Sequence, residues 1–253
     1  MEFKSFIKKN FFKIFIFFKK IKFSLFTEDI NNSSFSITDL IIIDKKLKLN
    51  KKKQIIFDIG SHYGNEVLNF DHHFPLSQIY SFEANPTCFE ALKNRTKHKK
   101  NVFINNIFLS KDSIDVPIDF FTHEKTDLVG SYYPETQMTK NCDIKIKINT
   151  DTIDNFCKKS ALDSIDILRV DVNGYELETL KGATKMLDEK KINYICSSFF
   201  DIESDDEFNI GGLIEISKFL DLKEYRFISA YNNFFHQKFK GGYYYAIFAK
   251  NTL

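Results

Sequence analysis

The 253-residue sequence contains no tryptophan and only four cysteines. The cysteines stand apart, without the Cys-x-x-Cys pairs of structural zinc sites or the regular spacing of a disulfide framework: Cys88, Cys142, Cys157 and Cys196. We therefore interpret each cysteine as a packing residue. Scattered thiols of this kind fit a reducing compartment, and we expect a cytoplasmic protein.

Net charge is also nearly absent, because 36 basic and 34 acidic side chains leave a formal charge of +2. A chain so close to neutrality gives no general reason to expect nucleic acid as a partner. Long apolar runs are missing near the start, where the longest uncharged run is Ile14 to Phe18. A membrane span needs about 20 mostly apolar residues, and this N-terminal segment also lacks the apolar core of a signal peptide. We therefore expect neither a membrane span nor a signal peptide here.

The first 26 residues have an amphipathic pattern instead. Seven lysines spread over one side of the predicted helix, and nine apolar residues share the other: Phe3, Phe6, Ile7, Phe11, Ile14, Phe17, Phe18, Ile21 and Leu25. The pattern predicts a basic amphipathic helix over 1–26, a lead-in over 27–52 and one larger domain over 53–253. Two interpretations of the helix stay open, namely peripheral attachment to an anionic membrane surface and packing on the domain or a second subunit.

Two apolar runs of the larger domain each deliver a carboxylate to the end of a predicted strand. The first run carries Asp58 and leads into a loop that contains Gly60 and Gly64, and the second ends at Glu83. In an open α/β sheet, ligands bind at the carboxyl ends of the strands. An acid after the second strand is placed to accept hydrogen bonds from both ribose hydroxyls. The sequence therefore predicts a nucleoside cofactor.

The glycine loop decides between nucleosides. It reads Gly-Ser-His-Tyr-Gly, which is neither the Gly-x-Gly-x-x-Gly of a dinucleotide site nor a phosphate-binding loop followed by Lys-Ser or Lys-Thr. A short loop after a carboxylate suits a zwitterion, because the carboxylate binds an ammonium group while the loop amides bind a carboxyl group. S-adenosylmethionine has that head group and a ribose. We predict that it is bound by Asp58, Gly60, Ser61, His62, Gly64 and Glu83.

These residues resemble the motifs of the FkbM-type methyltransferases. Phe57 to Gly64 is similar to the family's Asp-x-Gly-Ala-Asn-x-Gly, and Ser81 to Pro86 is similar to Phe-Glu-Pro-x-Pro. Ser164 to Glu176, followed by Leu180 to Ala183, is similar to Ile-Asp-x-Leu-Lys-Ile-Asp-Val-Glu-Gly-x-Glu and then Leu-x-Gly-Ala. The three motifs keep the family's order and spacing, which is far more specific than any one of them.

The resemblance implies a Rossmann-like class I methyltransferase fold, with a mainly parallel seven-stranded sheet flanked by helices. It also implies O-methylation of a hydroxyl group on a small molecule or glycan, such as a sugar, glycolipid or secondary metabolite. The sequence departs from the family where Asn173 replaces the usual glutamate. A catalytically inactive scaffold that binds S-adenosylmethionine therefore stays open as an alternative. A nucleotide-dependent oxidoreductase would share Glu83, but the loop chemistry opposes it.

Methyl transfer depends mainly on positioning, with a base where the acceptor is a hydroxyl group. Asp171, at the end of the strand next to the cofactor strand, is the candidate base. Its alternatives are a ligand of a divalent metal, together with Asn173 and Asp201, and a cap of the helix that begins near Gly174. His236, in a predicted loop before the last strand, is the second catalytic candidate, with an ordinary surface position as the alternative.

The remaining patterns complete the predicted alternation of strands and helices. Val116 to Phe121 and Ile144 to Ile148 predict a small antiparallel insertion, and the C-terminal strands predict an antiparallel edge. Asn106, at the third strand predicted over Val102 to Leu109, is expected either to contact the adenine edge or to cap the backbone. We interpret Glu176, at the start of a helix predicted to run to Leu187, as a solvated charge.

Overall fold

The computed structural model describes residues 52–113, 117–122, 144–202, 212–236 and 241–251. All of them belong to residues 34–253, the larger of two units into which the chain divides. The amphipathic helix predicted over 1–26 and nearly all of the lead-in lie outside the described residues, as does the segment 123–143 between the inserted strands. No helix among the described residues is long and apolar enough to cross a membrane.

The described residues form strands and helices in this order: β1 (Ile55–Ile59), α1 (Asn65–His73), β2 (Gln78–Phe82), α2 (Pro86–Thr96), β3 (Val102–Asn105), β4 (Phe108–Leu109), β5 (Ile118–Thr122), β6 (Ile144–Ile148), β7 (Thr150–Asp151), α3 (Ile153–Lys159), β8 (Ile165–Val170), α4 (Glu176–Lys181), α5 (Thr184–Asp188), β9 (Ile192–Ile202), α6 (Leu213–Leu222), β10 (Tyr225–His236) and β11 (Gly241–Lys250).

Seven strands form one sheet in the order β10-β11-β9-β8-β1-β2-β3. The pairs from β9 to β3 are parallel, and β11 is antiparallel to both of its neighbours. This confirms the predicted α/β fold with a mainly parallel seven-stranded sheet. The predicted antiparallel edge is formed by the two C-terminal strands, with β10 outermost and β11 between it and β9.

Strand β1 lies in the middle of the sheet and is covered on both faces. On one face, Phe70 of α1 and Leu92 of α2 pack in a cluster with Ile56. On the other face, the ring of Phe156 in α3 lies 5.7 Å from that of Phe57. Burial on both faces explains why β1 reads as a continuous apolar run, as parallel strands commonly do. It also fixes the carboxyl end of β1, where the glycine loop begins.

Three predicted elements differ in detail. The run from Val102 to Leu109 is divided, because β3 joins the main sheet while β4 pairs with β7. The helix predicted to run to Leu187 breaks into α4 and α5 around Gly182, where an added Cβ would lie 2.1 Å from the carbonyl oxygen of Ser110. The predicted insertion is confirmed, since β5 and β6 form an antiparallel pair.

The predicted loop that contains His236 is instead the end of β10, where the backbone of His236 pairs with Gly241. The pairing with β11 extends the strand beyond the apolar run that the sequence shows. The side chain of His236 lies outside the described part of the structure, so its catalytic role stays a prediction. Cys88, Cys157 and Cys196 are buried, as expected for packing residues.

Candidate functional site

The loop between β1 and α1 closes over the end of β2. The backbone N–H groups of Gly60 and Ser61 donate to the carbonyl oxygen of Phe82 at 2.9 and 3.1 Å. Gly60 has a φ of +80°, and a Cβ on it would lie 1.9 Å from the backbone oxygen of Asp171. Glycine at this position is therefore required by the backbone angle and by the close approach of the chain that follows β8.

Glu83, the acid predicted to bind ribose, also holds the glycine loop. Its Oε2 accepts the backbone N–H of His62 at 2.6 Å, and its Oε1 accepts that of Asn85 at 2.8 Å. Burial raises the pKa of Glu83 to about 7, although these two backbone hydrogen bonds lower it. Each carboxylate oxygen has a further lone pair, so the group retains acceptor capacity for ribose hydroxyls.

Other predicted cofactor residues shape the backbone around the site. The hydroxyl of Ser61 donates to the carbonyl oxygen of Asp58 at 2.8 Å and accepts from Ser81 at 2.7 Å. The side-chain amide of Asn106 donates to the carbonyl oxygen of Glu83 at 2.7 Å. This contact supports the second of the two alternatives predicted for Asn106, in which its side chain caps the backbone. The ring of His62 packs against that of Tyr63, with centroids 3.9 Å apart.

A buried arginine joins the two predicted site aspartates. Arg169 on β8 lies opposite Asp58 on β1, and its Nη1 donates to Oδ1 of Asp58 at 2.7 Å. Its Nη2 donates to Oδ2 of Asp171. Oδ2 of Asp58 is buried and accepts no hydrogen bond from the described residues. Arg169 was not predicted as a site residue, although a cation inside an otherwise apolar run between two acids was a signal for this pairing.

Two tyrosines of β11 complete the surroundings of Asp171. The hydroxyl of Tyr245 donates to Oδ2 at 2.5 Å, and that of Tyr243 donates to Oδ1. The predicted candidate base is thus held by a guanidinium and two phenol groups. Neither tyrosine was predicted as a site residue, because nothing local in the sequence indicates which strand pairs with β9.

The structure gives a metal at Asp171 little support. Within the described ranges, no group of three or more His, Cys, Asp or Glu side chains is placed to hold a metal ion. The Arg169 guanidinium already occupies Oδ2 of Asp171 with a permanent positive charge. The side chain of Asp201, the third predicted ligand, lies outside the described part of the structure.

The turn after β8 is built around a buried glutamate. Oε1 of Glu176 accepts the backbone N–H groups of Val172 and Gly174 at 3.0 and 3.2 Å, and the hydroxyl of Ser198 at 2.7 Å. The interpretation of Glu176 as a solvated charge was wrong, because the turn needs an acceptor inside the fold. Burial raises its pKa to about 7. Asn173 has a φ of +53°, a region that asparagine adopts more readily than glutamate.

The inserted hairpin forms an apolar wall beside these residues. Phe120 of β5 and Ile148 of β6 pack with Phe108 and Tyr175 in one buried cluster, against which Ala84 and Val172 are partly buried. Ala84 directly follows Glu83, and Val172 directly follows Asp171. The wall therefore flanks both acids at the carboxyl edge of the sheet, a setting suited to an aromatic ring such as a nucleobase.

Comparisons with known proteins agree with these features. Residues 58–235 match the family described as the methyltransferase FkbM domain. The 2-O-methyltransferase NoeI of Sinorhizobium fredii is 24% identical over 157 residues, which are 58% of this chain and 64% of that protein. This chain therefore aligns with less than two thirds of NoeI.

Solved structures with a similar chain path were also found. One is StiE O-MT residues 961–1257, with 8% identity and a TM-score of 0.48, covering 84% of this chain and 73% of that one. Another is Aeropyrum pernix fibrillarin with natively bound S-adenosyl-L-methionine, with 12% identity and a TM-score of 0.48, covering 79% of this chain and 68% of that one.

Proposed function

Because the chain belongs to the FkbM methyltransferase domain family, we propose that it transfers a methyl group from S-adenosylmethionine to a hydroxyl group. The family match confirms the resemblance seen in the three motifs. The acceptor class we propose is a small molecule or glycan, such as a sugar, glycolipid or secondary metabolite. Transfer to oxygen is supported by the relative NoeI, which is a 2-O-methyltransferase.

The observation that carries the proposal is the meeting of Glu83, the glycine loop and Asp171 at one edge of the sheet. The residues present fit S-adenosylmethionine. Glu83 has acceptor capacity for the ribose hydroxyls, and the loop amides suit the methionine carboxyl group. The unsatisfied Oδ2 of Asp58 supports a cation nearby, because a buried carboxylate oxygen without a donor is unfavourable.

When bound, the cofactor supplies a methyl group already activated by a sulfonium, so the chain has mainly to orient the acceptor and exclude water. Asp171 is held in place by Arg169, Tyr243 and Tyr245. We propose that it fixes the acceptor hydroxyl and takes its proton when Tyr243 shifts away from Oδ1. The metal-ligand alternative is disfavoured by the guanidinium at its other oxygen.

The alternative function, an inactive scaffold, rests on Asn173. Such a scaffold would not produce S-adenosylhomocysteine. We propose a direct test by calorimetry with S-adenosylmethionine, followed by mass spectrometry of the protein mixed with a panel of glycan and small-molecule hydroxyl acceptors. An active enzyme yields S-adenosylhomocysteine and a methylated acceptor. A scaffold binds the cofactor and yields neither, and a failure to bind would contradict both. Quenching of NADH fluorescence on mixing would instead favour an oxidoreductase.

A further inference from the structure

The residues around Arg169 carry more negative than positive charge. Its one guanidinium faces the carboxylates of Asp58 and Asp171. Burial lowers the pKa of Arg169, but Tyr245, Asp58, Asp171 and Glu66 together raise it well above its ordinary value. Glu66 lies in the first turn of α1. One buried cation thus forms ion pairs with two acids and feels the charge of a third, and we call these four residues the Arg169 cluster.

The charge of Asp171 also acts on two further buried acids, Glu83 and Glu176. Burial raises the pKa of both Glu83 and Glu176 to about 7, and the charge of Asp171 adds to the rise at both carboxyl groups. A separate observation points to a ligand. Asp58 is fully buried, yet its Oδ2 accepts no hydrogen bond from the described residues. Both features would be relieved by a cation at this edge of the sheet.

Asp171 is the member of the Arg169 cluster that faces the glycine loop. Its backbone N–H donates to the carbonyl oxygen of Ile59 at 2.9 Å, and its own carbonyl oxygen fills the space beside Gly60. Its side chain is 16% exposed, against 6% for Arg169 and 0% for Asp58. Among the three residues joined by these ion pairs, Asp171 is thus the most exposed, and its backbone borders the glycine loop.

We propose that the negative charge of the Arg169 cluster, and of Asp171 above all, selects S-adenosylmethionine over S-adenosylhomocysteine. The inference rests on the proposed function. The two compounds share the adenosine and amino-acid parts and differ in one methyl group and in the positive charge on sulfur. In a partly buried site, one unit charge a few ångströms away changes affinity by on the order of tenfold. Such selection favours exchange of the neutral product for fresh cofactor.

The test compares both compounds on the full chain by calorimetry. The wild-type protein is expected to bind S-adenosylmethionine more tightly than S-adenosylhomocysteine. Asp171→Asn keeps the shape of the side chain and one of its two acceptor oxygens, but removes the charge. We expect it to lose about tenfold in affinity for S-adenosylmethionine and to keep its affinity for S-adenosylhomocysteine within about twofold.

Tyr243→Phe is the matched control, because it removes a hydrogen bond to the same carboxylate without changing any charge. It is expected to leave the ratio of the two affinities unchanged. If Asp171→Asn does not fold, Glu66→Gln removes another negative charge of the Arg169 cluster, on α1. It should shift the ratio of the two affinities in the same direction by a smaller factor.

The results separate the inference from the proposed function. If Asp171→Asn loses affinity equally for both compounds, the role of Asp171 is structural and charge selection is wrong. Unchanged affinities in this variant would also overturn charge selection. If the wild-type protein binds neither compound, the proposed function itself fails. If both compounds bind the wild-type protein with equal affinity, the proposed function stands and charge selection is wrong.

Discussion

Arg169 and Asp58 face each other on neighbouring parallel strands, and the 2.7 Å contact between Nη1 and Oδ1 is buried at both ends. Removing the guanidinium leaves two carboxylates without their counter-charge. We expect Arg169→Met to lower the free energy of unfolding by about 3 to 5 kcal/mol, as for other broken buried pairs. Arg169→Lys keeps the charge and should lose less. Urea unfolding measures the stability of both variants. A loss of less than about 1 kcal/mol in Arg169→Met would contradict the stabilising role of the guanidinium.

Glu83→Ala should weaken cofactor binding because it removes the acceptor that we propose for the ribose hydroxyls. A charge-assisted hydrogen bond contributes about 1.5 to 3 kcal/mol, so affinity should fall roughly ten- to a hundredfold. Since ribose is common to both compounds, S-adenosylhomocysteine should be affected as much as S-adenosylmethionine. Calorimetry measures both, and wild-type affinity in the variant would exclude Glu83 from the ribose site.

The pKa of Glu83, raised to about 7, adds a dependence on pH. Only the ionised carboxylate accepts from two hydroxyls, so cofactor affinity of the wild-type protein should rise between about pH 6 and pH 8.

Gly60→Ala should abolish binding, chiefly because of the backbone oxygen of Asp171 that lies 1.9 Å from the new Cβ. This contact cannot be relieved by rotating a side chain. Gly64→Ala is the matched control, since Gly64 also has a positive φ, +79°, but its Cβ would meet the flexible side chain of Leu92. We expect the control to bind with reduced affinity and to melt at a higher temperature than the Gly60 variant. The opposite order would show that Asp171 does not restrict the loop.

Glu176 should make stability depend on pH, because its folded-state pKa of about 7 is above the ordinary value of 4.5. The folded protein then binds the proton more tightly than the unfolded chain does. Its stability contribution is present below about pH 4.5 and is lost as the pH rises through 7, by at most about 3 kcal/mol. Glu176→Gln should flatten this part of the curve in denaturant titrations at several pH values. An unchanged slope would contradict the prediction.

Deletion of residues 1–26 tests the proposed membrane attachment. An apolar face and seven lysines combine the two contributions that peripheral binding needs, which are hydrophobic burial and attraction to anionic lipid. The truncated chain should no longer float with anionic liposomes but should bind S-adenosylmethionine as before. Flotation of the intact chain should weaken as salt rises. Loss of solubility after the deletion would instead favour a helix that packs on the domain.

The positions of the acids at the strand ends were easier to predict from the sequence than the groups that bind these acids. Asp58, Glu83 and Asp171 follow apolar runs, and parallel strands bring their carboxyl ends to one edge, so their meeting was predictable. Tyr243 and Tyr245 reach Asp171 only because β11 lies between β9 and β10, a non-local pairing without a local signal. The burial of Glu176 depends on a turn whose N–H groups need an acceptor, which helical periodicity does not reveal.

The place of β11 in the sheet has a consequence for biosynthesis. The ribosome delivers β9 and β10 before β11, so the two earlier strands cannot settle side by side without being separated again. Until β11 arrives, a nascent chain holds Arg169 and Asp171 without either phenol group. Long-range insertion of this kind is slow compared with local pairing, and it leaves strand edges open meanwhile. The emerging polypeptide is therefore most exposed to aggregation just before the strand that carries Tyr243 and Tyr245.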